Sequence, residues 1–242
     1  MKSMLIEAAS RTDRGLVREG NEDAVATFPE YGLVVLADGM GGHTSGEVAS
    51  QLAVETVGTL MLMGEGDMVL GSVVEAANKA IIQAIEESPE HEGMGTTIVM
   101  ARFMGRRIHF AHVGDSRIYR FRGGRLEQLT RDHSIIQELV DQGLFESAEE
   151  ARGAGVKNNI ITRGLGIAHE VEVEEGADDV QNGDIYLFCS DGLSDMVADP
   201  ILEETLSEGG DGLPDLCGKL LDLAIQNGGK DNVSLILVRP EA

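Results

Sequence analysis

The sequence has few basic residues: lysine and arginine number 19 against 42 aspartates and glutamates, which gives a formal charge of −23. It also has no tryptophan, only two cysteines and only five prolines. The negative charge argues against a nucleic-acid partner, because most of the surface would repel a phosphate backbone. It is compatible with carboxylates gathered around cations, although an ordinary solvated acidic surface explains most of the acidic residues.

Long apolar runs and a disulfide pattern are also missing from the sequence. No run approaches the roughly 18 apolar residues that span a bilayer, and residues 1–6 lack the features of a signal peptide. Cys189 lies in an apolar run and Cys217 on the apolar face of a predicted helix, which indicates two small core residues rather than a disulfide or a metal site. We therefore expect a cytoplasmic protein without membrane contact.

Hydrophobic residues make up 42% of the chain and recur at helical spacing in two successive stretches, 44–63 and 67–87. A short turn with two glycines joins these stretches, so they are predicted to form an antiparallel helix pair that covers one face of a sheet. Further helices are predicted at 134–142, 147–152 and 200–207, and from Pro214 to the Asn227-Gly228-Gly229 sequence.

Short apolar or alternating runs separated by turn residues predict many strands. They lie at 4–10, 24–28, 33–37, 96–103, 107–113, 117–122, 126–128, 170–174, 185–190 and 233–238. The short connections favour antiparallel pairing, and strict alternation of strand and helix is missing. The sequence therefore predicts one α+β domain, residues 1–242, in which two antiparallel β-sheets form a central sandwich flanked by pairs of antiparallel helices. The polar segment 143–159 is predicted to be a mobile insert.

The apolar run 33–37 ends in Asp38, which is followed by the glycine-rich sequence 39–42 and by His43. Three more aspartates, Asp115, Asp191 and Asp231, also stand among turn-forming residues at predicted strand ends, and a sandwich can bring such ends to one rim. Carboxylates without a Cys/His pattern indicate a hard cation, Mg²⁺ or Mn²⁺, rather than Zn²⁺. Each aspartate alone is more simply a turn residue; their joint occurrence favours a metal site.

Eight short motifs occur along the chain in a fixed order. They are Arg18 with Asn21-Glu22-Asp23, Asp38-Gly39-Met40-Gly41-Gly42-His43, Gly95-Thr96-Thr97, Val113-Gly114-Asp115-Ser116-Arg117, Thr130-Arg131-Asp132-His133-Ser134, Ile161-Thr162-Arg163-Gly164-Leu165-Gly166, Ser190-Asp191-Gly192-Leu193 and Lys230-Asp231-Asn232. Together, from about residue 5 to 239, they resemble the motif series of the bacterial PP2C-type (PPM) metal-dependent protein serine/threonine phosphatases. The β-sandwich of that family agrees with the fold predicted from periodicity.

The resemblance implies a centre of two cations, Mn²⁺ or Mg²⁺, that activates a water for direct attack on phosphorus. Carried onto this sequence, Asp38 would bridge both cations, with the Gly39 carbonyl on one and Asp191 and Asp231 on the other. Asp115, together with Asp191, resembles the position that holds a third and weaker metal in bacterial members of the family.

The resemblance also implies roles for residues around that centre. Glu22 and Asp23 would hold metal-bound waters, and Arg18 would clamp the phosphate with a planar guanidinium of fixed charge. The alternative for Arg18 is a surface arginine in a charged loop. His43 could protonate the leaving oxygen or could cap the helix beside it. His133 is expected to order a loop rather than to take part in the chemistry.

The function implied is hydrolysis of phosphoserine and phosphothreonine in proteins, in opposition to a serine/threonine kinase in bacterial signalling. The expected partners are phosphorylated proteins, including such a kinase and its substrates, and neither nucleic acid nor a membrane is expected. Two alternatives stay open: a pseudophosphatase that only binds, and a metal-dependent hydrolase of another phosphoester. All the acidic positions and Arg18 are present, which favours the active phosphatase. The segment 143–159 corresponds to the flap of that family, and we hypothesise that it tunes substrate access.

Overall fold

The computed structural model describes residues 3–41, 45–63, 69–157 and 160–241. Two antiparallel sheets account for the strands. The strands are β1 Ile6–Asp13, β2 Asp23–Phe28, β3 Leu33–Met40, β4 Gly95–Thr96, β5 Ile98–Met104, β6 Arg107–Val113, β7 Arg117–Arg122, β8 Arg125–Gln128, β9 Glu174–Asp179, β10 Ile185–Cys189 and β11 Val233–Pro240. The first sheet has the order β1-β11-β10-β7-β8; the second has the order β2-β3-β5-β6-β9, with β4 paired to β3.

Two pairs of helices cover the outer faces of the sheets. The helices are α1 Ser45–Met63, α2 Leu70–Glu87, α3 Ile135–Asp141, α4 Ala148–Gly153, α5 Asp191–Ser194, α6 Asp199–Glu208 and α7 Leu213–Gln226. The pair α1 and α2 packs on the second sheet, whereas α6 and α7 pack on the first. This arrangement confirms the predicted α+β sandwich with helix pairs on its two outer sides. None of the helices in the described residues has both the length and the apolar character needed to span a bilayer.

Strand β3 shows why an apolar run without alternation forms a strand in this fold. Leu33, Val35 and Ala37 pack against the core that the sheet shares with α1 and α2. Val34 and Leu36 point the other way, into the core between the two sheets. Because both faces of the strand are covered, every one of these positions is apolar.

The strand predicted at 170–174 is wrong, because the structure places β9 at Glu174–Asp179. Its sequence, Glu-Glu-Gly-Ala-Asp-Asp, has low strand propensity, and the strand exists because it pairs along one edge of β6. Phe110 lies opposite Gly176 in this pairing, and its ring covers the glycine. A charged strand at the edge of a sheet also discourages pairing with another chain.

Most other predicted elements are confirmed with shifts of a few residues at their ends. The four-residue helix α5 was not predicted, because it is too short to show apolar periodicity. The predicted first residues of two helices, Thr44 and Asp67, lie outside the described residues. Cys189 and Cys217 are both buried with free thiols, as expected.

The segment 143–159, for which we keep the name flap, contains α4, and its residues 158 and 159 lie outside the described ones. Ser147 caps α4 by accepting a hydrogen bond from the Glu150 amide. At its base, Ser134 bridges to Ile161, and the Ile135 amide donates to the Ile160 carbonyl. The two sides of this base are therefore held like a short piece of sheet.

Candidate active site

One rim of the sandwich gathers most of the residues singled out from the sequence around a pocket of about 210 Å³. Each of these residues lies at the end of a strand or in the loop or turn that follows or precedes a strand. The lining includes Arg18, Glu22, Asp38, Gly39, Met40, Thr97, Asp115, Ile161, Asp191 and Asp231. Asp23 is not part of this lining; the residue is half-buried, and its Oδ1 is fully buried. Strand ends distant in sequence thus meet at one place, as the sandwich prediction required.

Asp38 is held at the end of β3 through its own backbone. Its amide donates to Thr97 Oγ1 at 3.1 Å, and its carbonyl accepts from the Thr97 amide at 2.9 Å. The hydroxyl of Thr96 donates to the same carbonyl at 2.9 Å. Thr97 Oγ1 is also 2.7 Å from Ser116 Oγ, next to Asp115. Asp38 and the turn that carries Asp115 are therefore linked through a buried threonine.

Two glycines allow the acidic segments to approach closely. A Cβ on Gly39 would lie 2.2 Å from the Gly46 carbonyl oxygen, and a Cβ on Gly192 would lie 1.9 Å from the Asn232 carbonyl oxygen. Both distances are far below van der Waals contact, so only glycine fits without moving the backbone. Asp38 and Asp191 each precede one of these glycines in the chain.

The buried side chain of Ser190, the residue before Asp191, connects the start of α5 with the second sheet. Asp191 is the first residue of α5, and the preceding Ser190 donates from Oγ to Asp23 Oδ2 at 2.9 Å. Ser190 Oγ in turn accepts from the Ser234 amide at 3.0 Å. Asp23 itself lies opposite Asp38 in the pairing of β2 with β3. The carboxylates thus occupy fixed positions relative to both sheets.

Asp231 precedes β11 and contacts Arg18, and the next residue, Asn232, contacts the segment around Glu22. Arg18 Nη2 donates to Asp231 Oδ2 at 2.6 Å, and the Asn232 amide donates to Asp231 Oδ1 at 2.8 Å. The side chain of Asn232 accepts from the Glu22 amide and donates to the Arg14 and Gly20 carbonyls. Asn232 therefore holds the loop that carries Arg18 and Glu22 against the rim.

Asp115 sits in the tight turn between β6 and β7, where His133 contacts the backbone of Gly114. Gly114 has a φ of +107°, a conformation that favours glycine. The His133 amide donates to the Gly114 carbonyl at 2.9 Å, and the Gly114 amide donates to His133 Nδ1 at 3.1 Å. This double contact supports the expectation that His133 orders a loop, and that loop is the one that carries Asp115.

The carboxyl groups in and beside the pocket are close together and partly shielded from water, which raises their pKa values. Burial raises the pKa of Asp23 to about 6, and burial with the charge of Asp132 raises the pKa of Asp115 to about 7. Burial and the neighbouring carboxylates raise the pKa of Asp38 and of Asp191 well above the usual range. Burial likewise raises the pKa of Glu22.

These residues fit a site for divalent cations. Buried carboxylates are costly to ionise together unless positive charge compensates them. The buried oxygen Oδ1 of Asp23 has no hydrogen-bond partner, which leaves an acceptor unsatisfied beside the cluster. An all-oxygen donor set is the set that Mg²⁺ and Mn²⁺ prefer. His43, the predicted proton donor or helix cap, lies outside the described residues.

A second group of metal-binding residue types lies under the turn of Asp115. Donor atoms of His112, His133 and Glu174 are all within 4.8 Å of one another, and the two imidazole rings are stacked. His133 Nδ1 accepts the Gly114 amide, so the proton of a neutral ring is on Nε2, facing Glu174. The guanidinium of Arg163 is also 3.3 Å from that nitrogen. We therefore interpret this group as a support for the turn.

Sequence reasoning did not assign roles to three residues that hold the site together: Thr97, Ser190 and Asn232. All three are nearly or fully buried polar side chains. Each occurs within one of the short motifs quoted above, next to or near a proposed ligand. That proximity was the available signal, but which backbone group each side chain contacts depends on the tertiary fold.

Comparisons with known proteins agree over nearly the whole chain. A family model described as protein phosphatase 2C matches residues 10–209. The chain is 41% identical over 241 residues to the serine/threonine protein phosphatase PstP of Mycobacterium tuberculosis, a match that covers 97% of this chain and 45% of that relative. It is 36% identical over 249 residues to the serine/threonine phosphatase stp of Listeria monocytogenes, covering 96% of this chain and 95% of that relative.

A solved structure extends the similarity to three dimensions. The catalytic domain of PstP in complex with two manganese ions matches with a TM-score of 0.87 and 40% identity, covering 98% of this chain and 99% of that one. The chain thus spans about half the length of the M. tuberculosis relative and nearly the whole length of the Listeria one.

Proposed function

Because the chain belongs to the protein phosphatase 2C family, we propose that it is a Mn²⁺- or Mg²⁺-dependent phosphatase of phosphoserine and phosphothreonine in proteins. The observation that carries the proposal is the set of five carboxylates that shares one pocket with Arg18. The substrates would be phosphorylated proteins, and the enzyme would oppose a serine/threonine kinase. Residues 1–242 would act as a single phosphatase domain.

The cation ligands proposed are the carboxylates at the rim. Asp38 would contact two cations, with the Gly39 carbonyl beside one of them and Asp191 and Asp231 beside the other. Divalent cations bound there would lower the pKa of water and would neutralise the charge that develops on the phosphoryl oxygens. The manganese complex of PstP, a relative of the same fold, supports this choice of cofactor.

Three further acidic residues would support this centre. Asp115, together with Asp191, is proposed to bind a third and weaker cation. Glu22 and Asp23 would accept hydrogen bonds from water around the cations, and the unpartnered Oδ1 of Asp23 is available for such a bond. The raised pKa of these carboxyls means that bound cations would displace protons from the site.

Arg18 would bind the phosphate of the substrate. Its side chain is about half exposed, at 52%, so the guanidinium can reach an incoming phosphoryl group at the mouth of the pocket. The bond to Asp231 Oδ2 holds the guanidinium beside the cation ligands until a phosphate competes for it. A planar guanidinium suits two phosphate oxygens at once.

Hydrolysis breaks the bond between phosphorus and the serine or threonine oxygen, and that oxygen must gain a proton as it leaves. His43 is proposed as the donor, because an imidazole has a suitable pKa and follows Asp38 closely in sequence. A His43→Asn variant should then lose the basic limb of the pH profile for an alkyl phosphoester such as a phosphothreonine peptide. It should lose much less activity on an aryl phosphate, whose leaving oxygen needs no proton.

The experiment that tests the proposal is hydrolysis of a phosphothreonine peptide with added Mn²⁺, compared with the same assay in excess chelator. Activity that requires the cation supports a phosphatase. Folded protein that binds Mn²⁺ but hydrolyses no phosphopeptide would overturn the proposal. A parallel panel of nucleotide and sugar phosphates then separates a binding module from a hydrolase of another phosphoester.

A further inference from the structure

The pocket of about 210 Å³ at the rim, which contains the proposed cation ligands, is called the catalytic pocket below. A second and larger cavity, of about 600 Å³, adjoins it. We call it the flap cavity. Its walls are α4 of the flap, the start of α3, and the segment from Asp191 to Pro200. Asp115 and Asp191 line both the flap cavity and the catalytic pocket. A peptide whose phosphate lies in the pocket therefore has the flap cavity as immediate neighbouring space.

The charge of the flap cavity is negative even without the two shared aspartates. Four further carboxylates line it, against the guanidinium groups of Arg117 and Arg152. Arg117 is neutralised by Asp132, to which it donates three hydrogen bonds of 2.6–3.1 Å. Glu149, in α4, and Asp199, in α6, both line the cavity and are exposed to solvent.

The carboxylate of Asp199 is held in place by an uncharged partner, the hydroxyl of Tyr119. Tyr119 donates its hydroxyl to Asp199 Oδ1 at 3.0 Å and itself accepts from Arg117 at 2.9 Å. The phenol is uncharged, so this contact gives Asp199, in the first turn of α6, no cationic partner. Apolar groups of Ile136, Met196 and Pro200 complete the lining, and they suit the aliphatic stem of a long basic side chain.

We propose that the flap cavity binds a lysine or arginine side chain of the phosphoprotein, close in sequence to the phosphorylated residue. This inference rests on the proposed phosphatase function and names the substrate class for the same site. It has two grounds: continuity with the pocket that takes the phosphate, and charge complementarity between the cavity and a basic side chain. An acidic flanking sequence would meet like charge in the same place.

The test uses three phosphothreonine peptides that differ only in the flanking residues, which are arginine, alanine or glutamate. The wild-type protein with Mn²⁺ should hydrolyse the arginine peptide with a kcat/KM about three- to tenfold above that of the alanine peptide. The glutamate peptide should be the poorest. The preference should shrink at high salt, because the cavity is partly open to solvent.

Variants assign the preference to the cavity. The double variant Glu149→Gln/Asp199→Asn removes one carboxylate from α4 and one from the segment 191–200, and it should reduce the preference for arginine to about twofold or less. The matched control, Glu146→Gln/Glu204→Gln, makes the same charge change outside the cavity lining and should keep the preference. Hydrolysis of p-nitrophenyl phosphate, too small to reach the cavity, should be unchanged in both variants.

Three outcomes would overturn the inference while leaving the phosphatase intact. They are equal hydrolysis of the three peptides, an undiminished preference in the cavity variant, and a loss of preference that is as large in the control variant. A loss of p-nitrophenyl phosphate hydrolysis in the cavity variant would also overturn it, because the effect would then lie in the catalytic pocket. Absence of all hydrolysis by the wild type would refute the proposed function and the inference with it.

Discussion

Arg18 and Asp231 are 213 residues apart in sequence, and the guanidinium of one donates a 2.6 Å hydrogen bond to the carboxylate of the other. The contact joins the loop after β1 to the turn before β11, which are neighbouring strands of one sheet. It places the only cationic side chain of the pocket lining, among the described residues, beside a proposed cation ligand. The proposed phosphate recognition by Arg18 and the proposed cation binding by Asp231 would thus be coupled through this hydrogen bond.

Substitution of Arg18 should separate these two roles. Arg18→Ala is expected to lower kcat/KM for a phosphothreonine peptide by roughly 10–100-fold, because the phosphate loses a charged donor. Mn²⁺ affinity, measured by calorimetry, should be unchanged or higher, since Asp231 is released from its cationic partner. The activity of Arg18→Lys should lie between that of the wild type and that of Arg18→Ala. A loss of Mn²⁺ binding in Arg18→Ala would contradict this division of roles.

Gly192 is expected to be intolerant of any side chain. A Cβ there would lie 1.9 Å from the Asn232 carbonyl oxygen, so Gly192→Ala must separate α5 from the start of β11. We expect a loss of about 1–3 kcal/mol in the free energy of unfolding, measured in urea. The control is Gly218→Ala in α7, where a Cβ meets no atom within 4 Å; that helical substitution should stabilise by about 0.5–1 kcal/mol. Equal stability of the two variants would refute the packing argument.

The raised pKa of Asp23 predicts that the unfolding free energy of the protein depends on pH when metal ions are removed by a chelator. Its pKa is raised from 3.8 to about 6, so between these values the folded protein holds a proton that the unfolded chain releases. Stability therefore falls as the pH rises through this window. Asp23→Asn cannot ionise, so the variant should gain stability relative to wild type above about pH 6 and gain none below pH 4. Parallel unfolding free energies of the two proteins across this range would argue against the raised pKa.

His133 should act through the Gly114–Asp115 turn. His133→Ala leaves the Gly114 amide without its acceptor and is expected to cost about 1–3 kcal/mol of unfolding free energy. It should also weaken the binding of the last Mn²⁺ in a calorimetric titration, because Asp115 loses its fixed position. In His133→Asn, a side-chain oxygen can take the place of Nδ1, and both properties should recover in large part. If Asn behaves like Ala, the hydrogen bond to Gly114 is not what His133 contributes.

The sequence predicted the parts of this fold that follow from local pattern. Strand β3 could be predicted from its continuous apolar run, and helix α7 could be predicted from the helical spacing of its apolar residues. Strand β9 has neither, because its acidic residues become a strand only through pairing with β6. A local pattern cannot show that pairing.

The same division holds for the site. The convergence of Asp38, Asp115, Asp191 and Asp231 on one pocket could be predicted, because sandwich strand ends meet at a rim and the motif series resembles a known family. The contacts made by Asn232, with three backbone partners in the loop 14–22, could not. They depend on how two segments more than 200 residues apart pack together.

The measurement that tests the binuclear centre most directly is a titration of Mn²⁺ into the chelator-stripped protein. Calorimetry records the binding of the ions, and hydrolysis of a phosphothreonine peptide is measured at each Mn²⁺ concentration. We predict that about two tightly bound ions per chain appear together with activity, and that Asp38→Asn, once shown by circular dichroism to be folded, loses both. Wild-type protein that binds no Mn²⁺, or an Asp38→Asn variant that keeps its ions and its activity, would contradict a binuclear centre at this rim.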